Sequence, residues 1–214
     1  MKDWTTVLDA VRLGGWVIYP LSVLAILAIA IAIDRAYVFV RFARRPDTGA
    51  PRPGDGGAPS STFAEDLDSL PARHVFRRLS APLADRPAAP IWYREAKAEA
   101  IAATIERDMS KGFWVLETIV TAAPLLGLLG TIVGMMHSFQ LFGGNGLVNP
   151  AGVTGGVAQS LVATAVGLVV ALFSLFTFNY FSRRLERLMD ELESFANERI
   201  SEIRLATEEQ GAAP

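Results

Sequence analysis

The sequence predicts an all-α integral membrane protein with three transmembrane helices and long cytoplasmic helical extensions. Three observations support this. The 214-residue chain is 51% hydrophobic and only 20% charged, with a mean hydropathy of +0.31. Residues 118–182 contain no Asp, Glu, Lys or Arg, and at roughly 20 apolar residues per crossing this run holds two spans. A second charge-free run, residues 13–33, is long enough for one more.

Residues 1–13 form a short outer N-terminus and 14–33 the first span. A cleaved signal peptide is the rival reading, since Ala28-Ile29-Ala30 has small residues at the right spacing. The apolar run is longer than a signal peptide's core of roughly 7–15 residues, however, and the leading "MKDW" is barely positive. Arg35, Arg41, Arg44 and Arg45 follow as in a stop-transfer flank, so a retained anchor is expected. Arg183, Arg184 and Arg187 follow the third span, whereas the connection between spans two and three carries no positive charge. Positively charged flanks stay inside, which predicts an outer N-terminus, an inner segment 34–117, an outer loop 142–153 and an inner C-terminus.

Within the inner segment, residues 46–61, "PDTGAPRPGDGGAPSS", are rich in Pro, Gly and Ser and read as a flexible linker. Thr62 and Glu65 match a capping box before a short helix over "FAEDLDSL". From Pro90 to Pro124 no proline interrupts a stretch dense in helix formers, predicting one long helix over residues 91–141. Residues 118–141 of it are the second span. At 1.5 Å per residue its first half projects beyond a hydrocarbon core of roughly 30 Å. Asn149-Pro150 marks a turn, and helix resumes near Thr154 for a third span over 154–182. In the tail, 183–214, Leu185, Leu188, Leu192 and Phe195 recur at three- and four-residue spacing. That apolar stripe packs either on the inner part of the preceding helix or on another copy.

Composition excludes several function classes. With no Cys there is no disulfide, thiol nucleophile or Cys-based metal site. GxxxxGK[ST], HExxH and GxSxG are all absent. The two histidines, His74 and His137, fall on opposite sides of the membrane in this topology, His74 at an inner surface and His137 snorkelling near the outer headgroups. Basic residues flank the spans without forming an aromatic-interleaved stripe, so nucleic acid is not an expected partner. The expectation is a protein without catalytic residues, cofactor or metal.

The informative residues are those a plain apolar span would not need. Pro124, Gly127, Gly130 and Gly134 interrupt the second span, and Gly167 the third. In lipid, helices associate through close backbone approach and polar contacts. The glycines therefore predict a flat packing face, and the carbonyl freed by Pro124 can be satisfied by neighbouring groups. Thr131 in the second span, and Ser160 and Thr164 with adjacent Gln159 in the third, form two small polar stripes. Antiparallel packing brings them to similar depth. Each hydroxyl either bonds back to its own helix or faces water or a charged group from another chain.

The segments "TAAPLLGLLGTIVGMMHSF" and "GVAQSLVATAVGLVVAL…NYF" resemble the second and third spans of the MotA/TolQ/ExbB proton-channel family, specifically its ExbB/TolQ branch. The resemblance in motif covers about residues 116–182, and the rest agrees in layout. It implies a homo-oligomer, typically a pentamer, in the bacterial inner membrane with a periplasmic N-terminus. Its pore would hold an ExbD/TolR-like single-span partner carrying a membrane Asp, and would power a TonB- or TolA-like protein. The family's pore threonines fall on Thr131 and Thr164. Two departures stand out: Gln159 replaces an acid common in the family, and Ala171-Leu172-Phe173 replaces the usual "AIP". The latter implies a straighter third helix and a narrower inner pore mouth. A TonB-linked stator, a TolQ-like envelope-maintenance motor and a purely structural scaffold all remain open at this stage.

Overall fold

A computed structural model describes residues 16–43, 71–84, 89–140 and 150–212, the side chains of 82–84, 150–153 and 206–212 excepted. The linker at 46–61, the capping box at Thr62 and Glu65, the N-terminal 1–13 and loop residues 142–149 lie outside the described residues. The fold is all-α. The helices are α1 (Ile18–Phe42), α2 (Val75–Ala84), α3 (Ile91–Met109), α4 (Phe113–Gln140) and α5 (Pro150–Ala212). Three helical stretches are long and apolar enough to cross a membrane, in Ile18–Phe42, Ile91–Gln140 and Thr154–Leu205.

The helix expected over 91–141 is two helices. Ser110 caps α3, its N–H donating to Glu106 O at 2.9 Å. Gly112 then takes a φ of +87°, a left-handed conformation that glycine reaches without a Cβ clash. Its carbonyl accepts from Val115 and Leu116 N–H at 3.1 and 3.2 Å, starting α4. The helix of the third span, α5, begins at Pro150, earlier than expected. Proline suits a first helical position because its missing N–H would have no intrahelical partner there. Beyond that point α5 runs unbroken through Ala171-Leu172-Phe173.

The chain forms two compact units, Met1–Ile33 with Gly112–Tyr180, and Asp34–Lys111 with Phe181–Pro214. In the first, Val17, Leu21 and Ala28 pack with Leu116, Ile119 and Ala123 of α4 and with Val170 and Ala171 of α5. The outward faces are as apolar as this core. Val23, Ile26, Leu125, Met136, Val169 and Phe176 are all exposed, as expected for surfaces meeting lipid or other membrane helices.

In the second unit the tail's stripe is buried within the chain. Leu185, Leu188, Leu192 and Phe195 are covered, with Phe195 edge-on to Phe76 at 5.7 Å and Phe181 stacked on Phe39 at 5.5 Å. His74, expected at the surface, is buried; its ring lies 6.0 Å from that of Phe76, where α2 turns into the unit. Arg35 does more than flank a span. It is buried, and its Nη1 donates to Asp108 O and Met109 O at 3.1 and 3.2 Å, satisfying the carbonyls at the end of α3. Asp108 in turn pairs with Lys111 at 2.9 Å and Arg78 at 3.0 Å. The Lys111 hydrogen bond leads in holding its carboxyl below the usual range.

The break at Gly112 supplies a test. A Cβ there would meet Ile31 Cγ2 at 3.2 Å in a left-handed backbone. Gly112→Ala should destabilise the protein by about 1–2 kcal/mol, read as a lowered thermal midpoint in mild detergent. A midpoint equal to wild type would contradict the assigned conformation.

Candidate functional site

Within the first unit α4 and α5 run antiparallel along a seam of small residues. A Cβ on Gly127 would lie 2.9 Å from Thr164 Cα, on Gly130 2.7 Å from Ala163 Cβ, and on Gly134 2.7 Å from Ser160 Cβ. From the other side, a Cβ on Gly167 would meet Ala123 O at 2.5 Å, and one on Gly156 would overlap Ser138 Oγ. Any larger residue at these positions would push the backbones apart. The glycine face therefore receives α5 of the same chain. Pro124 sits half-buried beside it, inside an α4 that continues to Gln140.

This register decides where the polar residues go. Thr131 follows seam residue Gly127 by four positions, and Thr164 follows Ser160 by four. A step of four advances about 40° around a helix, and in antiparallel helices the two steps turn toward the same edge. Because Gly130 meets Ala163, their immediate successors Thr131 and Thr164 lie within about one turn along the axis. Both are half-buried, among the exposed apolar side chains of Leu128, Met135, Leu161 and Leu168.

The two hydroxyls differ. Thr131 Oγ1 donates to Leu128 O of its own helix at 2.7 Å. Ser138, Ser160 and Ser174 likewise donate to their own helices, with Ser160 Oγ reaching Val157 O at 2.7 Å. Thr164 Oγ1 instead crosses the seam to Gly127 O at 2.9 Å. It ties the helices together where the missing Cβ of Gly127 lets it reach the backbone.

Gln159 is not on this edge. It precedes seam residue Ala163 by four positions and turns the opposite way. There, with Trp16, Val17, Gly130, Val133, Gly134, His137 and Ser160, it lines a cavity of about 260 Å³. The four polar candidates thus separate: Thr131 and Thr164 on one edge, Ser160 buried in the seam, and Gln159 beside His137 on the other. Their sequence adjacency hid this. The signal lay in the four-residue offsets from the small-residue seam.

Three helices long and apolar enough to cross a membrane, two of them joined through a glycine seam with no charge over residues 118–182, define a multi-pass membrane protein. The chain belongs to the MotA/TolQ/ExbB proton channel family, whose sequence model matches residues 68–194. It is similar to biopolymer transport protein ExbB-like 1 of Synechocystis sp., 33% identical over 196 residues that cover 89% of this chain and 76% of that protein. ExbB-like 3 of the same organism is 38% identical over 177 residues, 78% of this chain and 81% of the relative. The biopolymer transport protein ExbB of Aquifex aeolicus is 37% identical over 89 residues, 41% of this chain and 60% of the relative.

The seam predicts the outcome of crowding it. Gly130→Leu should destabilise the fold of the single chain by about 1–3 kcal/mol or more through overpacking, read by thermal unfolding in detergent. Gly155→Leu is the control, because a Cβ there meets nothing within 4 Å, and it should unfold like wild type. Equal midpoints for both variants would refute the seam.

Proposed function

We propose that this protein is an ExbB-like stator subunit of a proton-motive-force-driven complex. Copies of the chain, five in number, surround the membrane helix of an ExbD/TolR-like partner that carries an Asp. The assembly powers a TonB-type protein for outer-membrane transport. The observation that carries this reading is the shared edge of Thr131 and Thr164. It offers two hydroxyls in an apolar setting, and residues 118–182 bring no carboxylate of their own. An edge of this kind suits a neighbouring helix with a single acid, since an acid in the membrane needs polar partners or water beside it. Membership of a proton channel family and similarity to proteins named for biopolymer transport support the same reading.

At the threonine edge the chain is a sleeve and not a carrier. The partner's carboxylate takes and releases the proton. Thr131 and Thr164 accept hydrogen bonds from its protonated form or from its waters, each hydroxyl retaining acceptor capacity while donating to a carbonyl. The glycine seam keeps the sleeve narrow. Gln159 lies on the other edge and takes no part in this contact.

Reconstitution with the partner tests the assignment. Thr131→Val keeps the shape and removes a hydroxyl bonded only to its own helix, so folding should be unaffected. Thr164→Val also removes the cross-helix donor and should lower stability by about 0.6 kcal/mol, an average value for such bonds in membranes. If both hydroxyls serve the proton, the double variant should assemble yet lose partner-dependent proton flux by about one to two decades, the equivalent of roughly 1–3 kcal/mol. Full flux in the double variant would remove the threonines from the path.

Orientation has its own test. The chain is placed in the inner membrane with its N-terminus periplasmic and its C-terminus cytoplasmic, on the asymmetry of its arginines. A cysteine replacing Asn145 should react with an impermeant reagent from the periplasmic side, and one replacing Ser60 should not. The reverse pattern would invert the topology.

A further inference from the structure

We propose that the cavity bounded by Trp16 and Val17, by α4 and by α5 is a proton-binding vestibule in which His137 is the protonatable group. This goes beyond the threonine edge and rests on the proton-driven reading only for its link to transport. The cavity holds about 260 Å³, room for about eight waters at roughly 30 Å³ each. Its wall carries the His137 imidazole, the Gln159 amide and the Ser160 hydroxyl. Among the described residues neither His137 nor Gln159 has a hydrogen-bond partner. A half-buried amide at membrane depth is costly without one, and a cavity beside it can admit the water that supplies it.

Within residues 118–182 His137 is the single side chain of a type that changes charge between pH 5 and 8. Among the described residues, those that share the cavity with it are neutral: Trp16 and Val17 just before α1, Gln159 and Ser160 on α5, and Val133 on its own helix. In the step itself, a ring nitrogen lone pair takes H⁺ from hydronium, giving imidazolium and water, and the reverse step returns it. The Gln159 carbonyl oxygen and cavity water solvate the cation. No described side chain supplies a counter-charge to trap it.

Two measurements test the vestibule. In the first, the protein and its Asp-bearing partner are reconstituted in vesicles containing a pH-sensitive dye, and inward proton flux is followed as the outer pH is stepped from 5.5 to 8. Wild-type flux should fall as the outer pH rises, and His137→Gln should flatten the profile. In the second, histidine-labelled full-length protein without the partner is titrated by NMR in nanodiscs. The resonance lost in His137→Gln should move with pH, and Gln159→Leu should shift its midpoint. An imidazole resonance that stays fixed from pH 5 to 8, or a flux profile unchanged by His137→Gln, would overturn the proposal. A ring that titrates and responds to Gln159→Leu in a protein passing no protons would uphold the vestibule and overturn the proton-driven reading.

Discussion

Between helices in hydrocarbon, burying apolar surface gains little, because lipid tails are as apolar as leucine. The approach of α4 to α5 therefore depends on backbone proximity, and the glycine seam provides it. Gly127, Gly130 and Gly134 lie against Thr164, Ala163 and Ser160 closely enough that a methyl group on any of them would collide. The rest of the membrane unit follows from this contact. It fixes the antiparallel register, and with it the edge on which each polar side chain emerges. It brings Gly127 O within 2.9 Å of Thr164 Oγ1. It also leaves one flank of the seam to Val17, which lies 3.4 Å from the position of a Cβ on Gly130.

Much of this architecture was legible from composition. Charge-free runs located the spans because each charge at the membrane centre is penalised by several kcal/mol, so the absence of charge over residues 118–182 is itself a structural statement. The stripe of Leu185, Leu188, Leu192 and Phe195 announced a buried face, though periodicity alone could not say which surface covers it. What remained hidden were features set by one residue's backbone or by tertiary register. Gly112 stands among strong helix formers, and only its φ of +87° shows that it ends one helix and starts another. Arg35 looked like a topological signal until its bonds to Asp108 O and Met109 O made it a helix cap.

The candidate site was read with the same unevenness. Thr131 and Thr164 share an edge of the α4–α5 pair. Grouping Gln159 with them treated neighbours in sequence as neighbours in space. On a helix the residue beside Ser160 is rotated by about 100°, whereas the one four positions on is rotated by only about 40°. Thr164 therefore stays near Ser160 around the axis and Gln159 does not. His137 escaped notice as a cavity residue for the same reason, because its relation to Gln159 exists only once the two helices are in register.

The separation of the two edges bears on how polar groups can be held between two helices that carry no charge over residues 118–182. A titrating group needs water or hydrogen-bonding partners, while a tight helix interface excludes water; one surface cannot do both well. Here the seam keeps them apart. On one side the hydroxyls of Thr131 and Thr164 are already anchored to Leu128 O and Gly127 O, so they are held in place and keep acceptor capacity for a group from outside. On the other, Gln159 and His137 make no hydrogen bond among the described residues and border open space. Anchored hydroxyls have fixed geometry, with their protons committed to backbone carbonyls and only acceptor capacity left over. Amide and imidazole groups on a cavity wall suit water, which can both donate and accept. The glycine seam between the two edges thus sets two environments of different polarity from a single pair of helices.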